Sequence, residues 1–118
     1  MLSGSLLLTS ALFIFTLVAL MGLAMVGNVW KGKSVGAAFP RLHAAAALVG
    51  SALVIAAALD GDTRLYNNIG LAVVVILLGV YMGVRAQRGK KAPKAVLIAH
   101  AALAVGCYLL LGYYALNK

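Results

Sequence analysis

Four long apolar stretches occupy most of this chain and leave little room for any other structure. They run over residues 6–29, 42–59, 69–84 and 95–116. With flanking residues added to the two shorter stretches, each is long enough to cross a hydrocarbon layer of about 30 Å as a helix. Backbone amides find no water in such a layer, so spanning stretches without strand-like alternation must be helical. We therefore predict an all-α integral membrane protein with four transmembrane helices.

The second half of the chain aligns with the first half without a gap when the sequence is shifted by 57 positions. Identical pairs include Gly22/Gly79, Gly32-Lys33/Gly89-Lys90, His43/His100 and Ala47/Ala104. Such self-similarity predicts a tandem repeat. We expect one membrane domain over residues 1–118, built from two helical hairpins at about 6–59 and 63–116 that form an up-down four-helix bundle. Because this is a parallel repeat, equivalent residues should lie at equal depth.

The net charge of +8 is distributed unevenly along the chain. Eight of the ten Lys and Arg residues lie within 31–41 and 85–94, between the first and second and between the third and fourth apolar stretches. The positive-inside rule therefore predicts a bacterial-type inner membrane protein with both basic loops in the cytoplasm and both termini outside. These loops lack the interleaved aromatic residues that stack on bases, so we expect contact with the lipid bilayer and none with nucleic acid.

Polar and proline residues predict where three of the helices begin. Asn67 or Asn68, at the end of the polar turn 60–68, is expected to cap the third helix. Pro40 and Pro93 are expected in the first turn of the second helix and at the start of the fourth.

His43 and His100 are the two histidines of the chain, and we predict them at one depth on helices that face each other diagonally. An ionisable side chain inside a bilayer is by default a functional hypothesis. Two neutral imidazoles can supply both axial bonds of a haem iron. Small residues on the same helical faces would leave clearance for the macrocycle: Ala47, Ala104 and Gly50. Basic residues near the cytoplasmic surface would pair with the propionates: Lys33, Arg41, Arg85 and Lys90.

A second interpretation of the histidines stays open at this point. Each imidazole could simply hydrogen-bond a carbonyl of a neighbouring helix, with the small residues serving tight helix packing. Zinc or copper is disfavoured, because two histidines and Cys107, two turns beyond His100, do not make a closed tetrahedral set.

This arrangement resembles the four-helix membrane cytochromes b, including the ascorbate-reducible group. The resemblance rests on His43 and His100 with their alanine-rich surroundings, and it covers the bundle arrangement. It implies haem b near the cytoplasmic leaflet, exchanging electrons with a quinone or a larger membrane complex. The ascorbate-reducible proteins usually carry two haems and four histidines. With two histidines this chain would hold one haem, and it could not carry electrons across the membrane alone.

We therefore expect a single-haem electron-transfer protein or redox-complex subunit with bis-histidine ligation. The alternative is a cofactor-free accessory subunit of a larger membrane assembly. A cation transporter is disfavoured because both acidic residues, Asp60 and Asp62, lie in the polar turn and neither lies within a span. A stand-alone enzyme is also disfavoured, since the sequence lacks a recognisable nucleophile and base pair or phosphate-binding glycine loop.

Overall fold

The computed structural model of the protein describes residues 4–33 and 35–117, and this part of the chain is all-helical. The helices are α1 (Gly4–Trp30), α2 (Ala38–Leu59), α3 (Leu65–Gln87) and α4 (Lys94–Leu116). All four are long and apolar enough to cross a membrane, an assignment that rests on length and composition. The predicted all-α architecture with four long helices is confirmed, and flanking residues extend the two short apolar stretches.

The helices form a ring in which each packs against the next and α4 closes back onto α1. Among the described residues, the diagonal pairs α1/α3 and α2/α4 have no Cα atoms within 8 Å of each other. Successive helices joined by short loops give an up-down bundle, whose longest dimension is 43 Å. We call the end with loops 31–37 and 88–93 the basic end. The turn end holds residues 60–64, the start of α1 and the end of α4.

Three helices end in the same way, at a glycine in the left-handed region. Gly32, Gly61 and Gly89 have φ angles of 74°, 125° and 70°. The amide of each glycine donates to the carbonyl three residues earlier, at 3.0–3.1 Å. The amide of the next residue donates to the carbonyl five residues earlier, at 2.9–3.3 Å. This is the Schellman motif, which satisfies the last carbonyls of a helix. The repeated Gly-Lys pairs of the two basic loops therefore end α1 and α3.

The starts of the helices match the sequence prediction in two of three cases. Pro40 lies in the first turn of α2, and Pro93 directly precedes α4. The prediction that Asn67 or Asn68 caps α3 is wrong, because α3 begins earlier, at Leu65. Asn68 is instead 2% exposed within the bundle and donates from Nδ2 to the carbonyl of Cys107 at 2.9 Å. In an apolar interior, this bond provides an acceptor for a polar amide.

The tightly packed core lies at the turn end of the bundle. Its buried members come from all four helices: Leu7, Leu8, Ala11, Val54, Ala57, Ala58, Leu65 and Leu111. Two pairs of these residues, Leu8/Leu65 and Val54/Leu111, are related by the 57-residue shift. The repeat boundaries stay a prediction, but equivalent positions of the two hairpins here occupy equivalent places in the core.

Arg64 joins the polar turn to the end of α4. Its guanidinium donates to both carboxylate oxygens of Asp62, at 2.8 and 2.7 Å, and to the carbonyls of Tyr114 and Asn117. The guanidinium also lies 5.0 Å from the centroid of the Tyr114 ring. Because charge-assisted bonds favour the ionised carboxylate, Arg64 holds the pKa of Asp62 below its usual range.

Leu111 and Leu109 give a matched test of the core. Leu111 is 1% exposed and Leu109, two residues away on α4, is 63% exposed. We expect Leu111→Ala to lower the free energy of unfolding by about 2 kcal/mol or more, since it leaves a cavity. Leu109→Ala should change it by less than about 0.5 kcal/mol. Equilibrium unfolding in mixed micelles, followed by circular dichroism, measures both. Equal losses would contradict a core at the turn end.

The Asp62–Arg64 pair predicts a pH dependence of stability. The pKa of Asp62 is lower in the folded than in the unfolded protein, so the pair stabilises the fold above the unfolded pKa of about 4. That stabilisation is lost as the pH falls through the folded pKa. Asp62→Asn should remove this acid-dependent loss, whereas Asp60→Asn, outside the ion pair, should retain it. Thermal melts between pH 3 and pH 7 measure the difference, and identical profiles for the two variants would refute the assignment.

Candidate functional site

The two histidines meet inside the basic half of the bundle. The ring centroids of His43 on α2 and His100 on α4 are 6.5 Å apart, and the ring planes are inclined at 59°. Both side chains are half-buried. The backbones of α2 and α4 lie diagonally, with no Cα atoms within 8 Å of each other, and the two imidazoles span the interior between them. The structure thus brings together the two residues that the sequence singled out.

His100 is held against the backbone of α3. Its Nδ1 lies 2.8 Å from the carbonyl oxygen of Val75. A Cβ atom built on Gly79 would lie 3.1 Å from Cε1 of the same ring, closer than ordinary van der Waals contact. Because Val75 and Gly79 are one helical turn apart, the bare backbone at Gly79 lets the imidazole approach the carbonyl below it.

His43 lies against α1 in the equivalent way. A Cβ atom on Gly22 would lie 3.2 Å from Cε1 of His43. The carbonyl of Val18, one turn before Gly22, interacts with the ring, but the geometry falls short of a hydrogen bond. His43 Nδ1 is therefore buried without a hydrogen-bond partner among the described residues. The 57-residue shift places Val18 and Gly22 on Val75 and Gly79. The two histidines therefore contact equivalent residues, each within its own hairpin.

The hydrogen bond of His100 determines which of its nitrogens is free. A carbonyl oxygen only accepts, so Nδ1 must carry the proton in this bond. In the neutral imidazole Nε2 then keeps its lone pair and can act as an acceptor or a metal ligand. Metal-bound histidines commonly have this outer hydrogen bond, which orients the ring. Nε2 is thus the nitrogen of His100 that is not used in the bond to Val75.

The small residues predicted to flank a macrocycle have different surroundings. The space beside Gly50 is filled by the Phe15 ring, which would approach a Cβ at that position to 2.8 Å. Gly50 therefore makes room for an aromatic side chain of α1. Ala47 and Ala104 are half-buried on α2 and α4, and the carbonyl of Ala47 accepts a bond from Ser51 Oγ at 2.7 Å. Clearance for a ring at the two alanines stays a prediction.

The four basic residues predicted to pair with propionates all lie toward the basic end. Arg85 donates from Nε to the carbonyl of Lys91 at 3.1 Å and lies 5.9 Å from the centroid of the Tyr81 ring. Lys33, Arg41 and Lys90 are exposed. Arg85 thus has partners within the protein, and propionate pairing stays a prediction for all four.

Few side chains are fully buried in the half of the bundle that holds the histidines. Leu97 is the one buried residue among four helical segments at the basic end, which cover residues 19–30, 38–49, 76–87 and 94–105. The core at the turn end is by contrast contiguous across all four helices. The histidine pair therefore lies outside the tightly packed core.

Cys107 does not belong to the histidine site. Its thiol lies 3.6 Å from the carbonyl of Asn68, whose side chain donates back to the Cys107 carbonyl. Within residues 4–33 and 35–117, no group of three or more His, Cys, Asp or Glu side chains is placed to hold a metal ion. A closed zinc site needs four such ligands.

Gly22 and Gly79 are the residues of this site that the sequence interpretation missed. Both appeared among the identical pairs of the repeat, and Gly79 was expected to allow close helix approach, yet neither glycine was connected to a histidine. The repeated glycines could have indicated this role, because a glycine present in both copies of a helix often marks close approach of another group.

Comparison of the chain with protein-family models, with curated proteins and with solved structures gave no match. The functional argument therefore depends on the geometry of the histidine pair.

Gly79 and Gly83 give a matched test of the histidine pocket. They lie one turn apart on α3, but a Cβ at Gly83 would meet nothing within 4 Å. Gly79→Ala should push the His100 ring from the Val75 carbonyl, and Gly83→Ala should not. Losing one hydrogen bond of about 1 kcal/mol corresponds to about fivefold faster solvent exchange of the Nδ1 proton.

Proton NMR in detergent measures that exchange. A His43→Ala background, prepared without added haem, leaves His100 as the single imidazole. Equal exchange rates in the two glycine variants would show that Gly79 does not position the ring.

Proposed function

We propose that the protein binds one haem b between His43 and His100 and acts as an electron-transfer protein or as a subunit of a redox complex. The observation that carries the proposal is the 6.5 Å separation of the two imidazole centroids. A first-row metal binds an imidazole nitrogen at about 2 Å, so two rings on opposite sides of one iron have centroids about 6 Å apart. The spacing of the pair fits bis-histidine ligation.

The surroundings of the rings support the same ligand set. His100 is oriented by its Nδ1 bond to the Val75 carbonyl, and a metal-binding histidine commonly has such an outer contact, which would leave Nε2 to hold the iron. His43 has a buried Nδ1 without a hydrogen-bond partner in the described chain. A small adjustment of this ring toward the Val18 carbonyl would give it the same outer bond. The two imidazoles therefore fit the role of neutral axial ligands.

The packing around the pair supports a bulky planar group. Gly22 and Gly79 make room for the imidazole rings themselves, so space for a macrocycle between the rings would come from the basic half, where few side chains are fully buried. The core of the bundle is at the turn end, so opening the basic half does not disrupt it. A haem held by two imidazoles supplies reversible one-electron chemistry.

The depth of the pair limits what the protein can do alone. One haem near one end of a bundle 43 Å long cannot relay electrons across a membrane, so a quinone or a neighbouring subunit would be the exchange partner. We place the protein in a bacterial-type inner membrane, with the basic loops in the cytoplasm. The outward-facing large apolar residues of all four helices support contact with lipid.

One observation favours the alternative, a cofactor-free accessory subunit. The contacts of His100 with Val75 and Gly79 are also those of a histidine that serves helix packing. In that case the pair would stabilise the basic half of the bundle, and the protein would bind a larger membrane assembly through its apolar faces.

Visible absorption of detergent-purified protein, oxidised and then reduced, separates these functions. We expect the sharp reduced spectrum of low-spin haem b in the wild type. His43→Ala and His100→Ala should each lower haem content at least about tenfold or give a high-spin spectrum, because an axial ligand is lost. Tyr108→Phe removes a different interior bond, the 2.6 Å contact with Thr16 Oγ1, and should keep the spectrum.

Circular dichroism confirms folding of each variant. A folded wild type that remains colourless after expression with ample haem would refute the haem proposal and favour the accessory subunit.

A further inference from the structure

An apolar groove runs between α1 and α4 at the basic end, on the outside of the bundle. It has a volume of about 510 Å³, and its lining includes Val26, Trp30, Leu97, Ile98, Ala101 and Val105. Trp30 and Ile98 are 60% and 55% exposed, so the groove is open to the medium around the protein. For a helix bundle in a membrane, that surrounding is the acyl region of the lipid.

A cationic side chain stands at the end of this groove. Lys94 Nζ lies 5.3 Å from the centroid of the Trp30 ring. The acidic residues of the chain, Asp60 and Asp62, are both in the turn at the opposite end. Neither aspartate can therefore neutralise Lys94, and an external anion is a suitable counter-ion.

We propose that the α1–α4 groove binds one anionic phospholipid. Its acyl chain lies along the apolar floor formed by Leu97, Ala101 and Val105, and its phosphate binds Lys94 beside the Trp30 indole. Basic pockets between membrane helices favour anionic headgroups, and an indole at the headgroup level is a common interface anchor. A second copy of the chain is disfavoured as occupant, because it would bring another net charge of +8 toward the same face.

Trp30 is the only tryptophan of the chain, so its fluorescence reports on the groove alone. The full protein is reconstituted in nanodiscs that contain a low mole fraction of either dibrominated phosphatidylglycerol or dibrominated phosphatidylcholine. Bromine quenches indole on contact. We expect about fivefold stronger association of the anionic lipid, as estimated for one basic residue near an anionic headgroup. Equal quenching by the two lipids would overturn the proposal.

Matched variants separate the groove from general attraction to the basic end. Lys94→Gln should abolish most of the preference for the anionic lipid, whereas Arg88→Gln, an exposed cation of the same end, should leave most of it. Equal effects of the two variants would mean diffuse electrostatic attraction and would refute a site. Both are compared as ratios of quenching by the two lipids, because Lys94→Gln also changes the unquenched Trp30 emission.

Filling the groove gives a second test. Ala102 also lines it and is itself exposed, so Ala102→Leu occupies the groove without overpacking the interior. Quenching by both lipids should fall in this variant and stay unchanged in Ala52→Leu, an exposed alanine of α2. Quenching that falls as protein density rises would instead identify a second copy as the occupant. Bound haem would itself quench Trp30, so all lipids and variants are compared in protein prepared without haem, and the lipid site and the haem proposal then fail separately.

Discussion

The imidazole of His100 reaches its place in the bundle because α3 carries no side chain at Gly79. A methyl group there would lie 3.1 Å from the ring, and the bond from Nδ1 to the Val75 carbonyl would lengthen. The same relation holds between His43 and Gly22 on the first hairpin. The positions of both histidines, and hence the 6.5 Å between their rings, follow from two glycines that leave the backbone open.

The two ends of the bundle differ in how many side chains they bury. At the turn end, buried apolar residues from four helices and the Arg64 contacts hold the helices together. At the basic end few side chains are buried, and the histidines span the space between α2 and α4. In lipid, helix association depends on packing and internal hydrogen bonds, since the surrounding acyl chains are as apolar as the core. The firm core at the turn end therefore leaves the packing of the basic end less constrained.

Much of this architecture follows from the sequence alone, because length and apolarity predict four helices and the 57-residue shift predicts histidines at equal depth. Local contacts were less predictable. Asn67 or Asn68 was expected to cap α3, but α3 begins at Leu65 and the Asn68 side chain lies inside the bundle. The space at Gly50 is occupied by Phe15, a contact between helices that no pattern within one helix reveals. Gly32 and Gly89 were recognised as a repeated pair, and their positive φ angles explain why glycine occupies both positions.

The most direct test of the histidine pair as a ligand set is electron–nuclear double resonance of the oxidised protein with ¹⁵N incorporated only into histidine. The chain has two histidines, so every labelled nitrogen belongs to His43 or His100. We predict a low-spin ferric signal coupled to one nitrogen from each ring, and loss of one coupling in either single variant. A haem signal coupled to one histidine or to none would contradict the account.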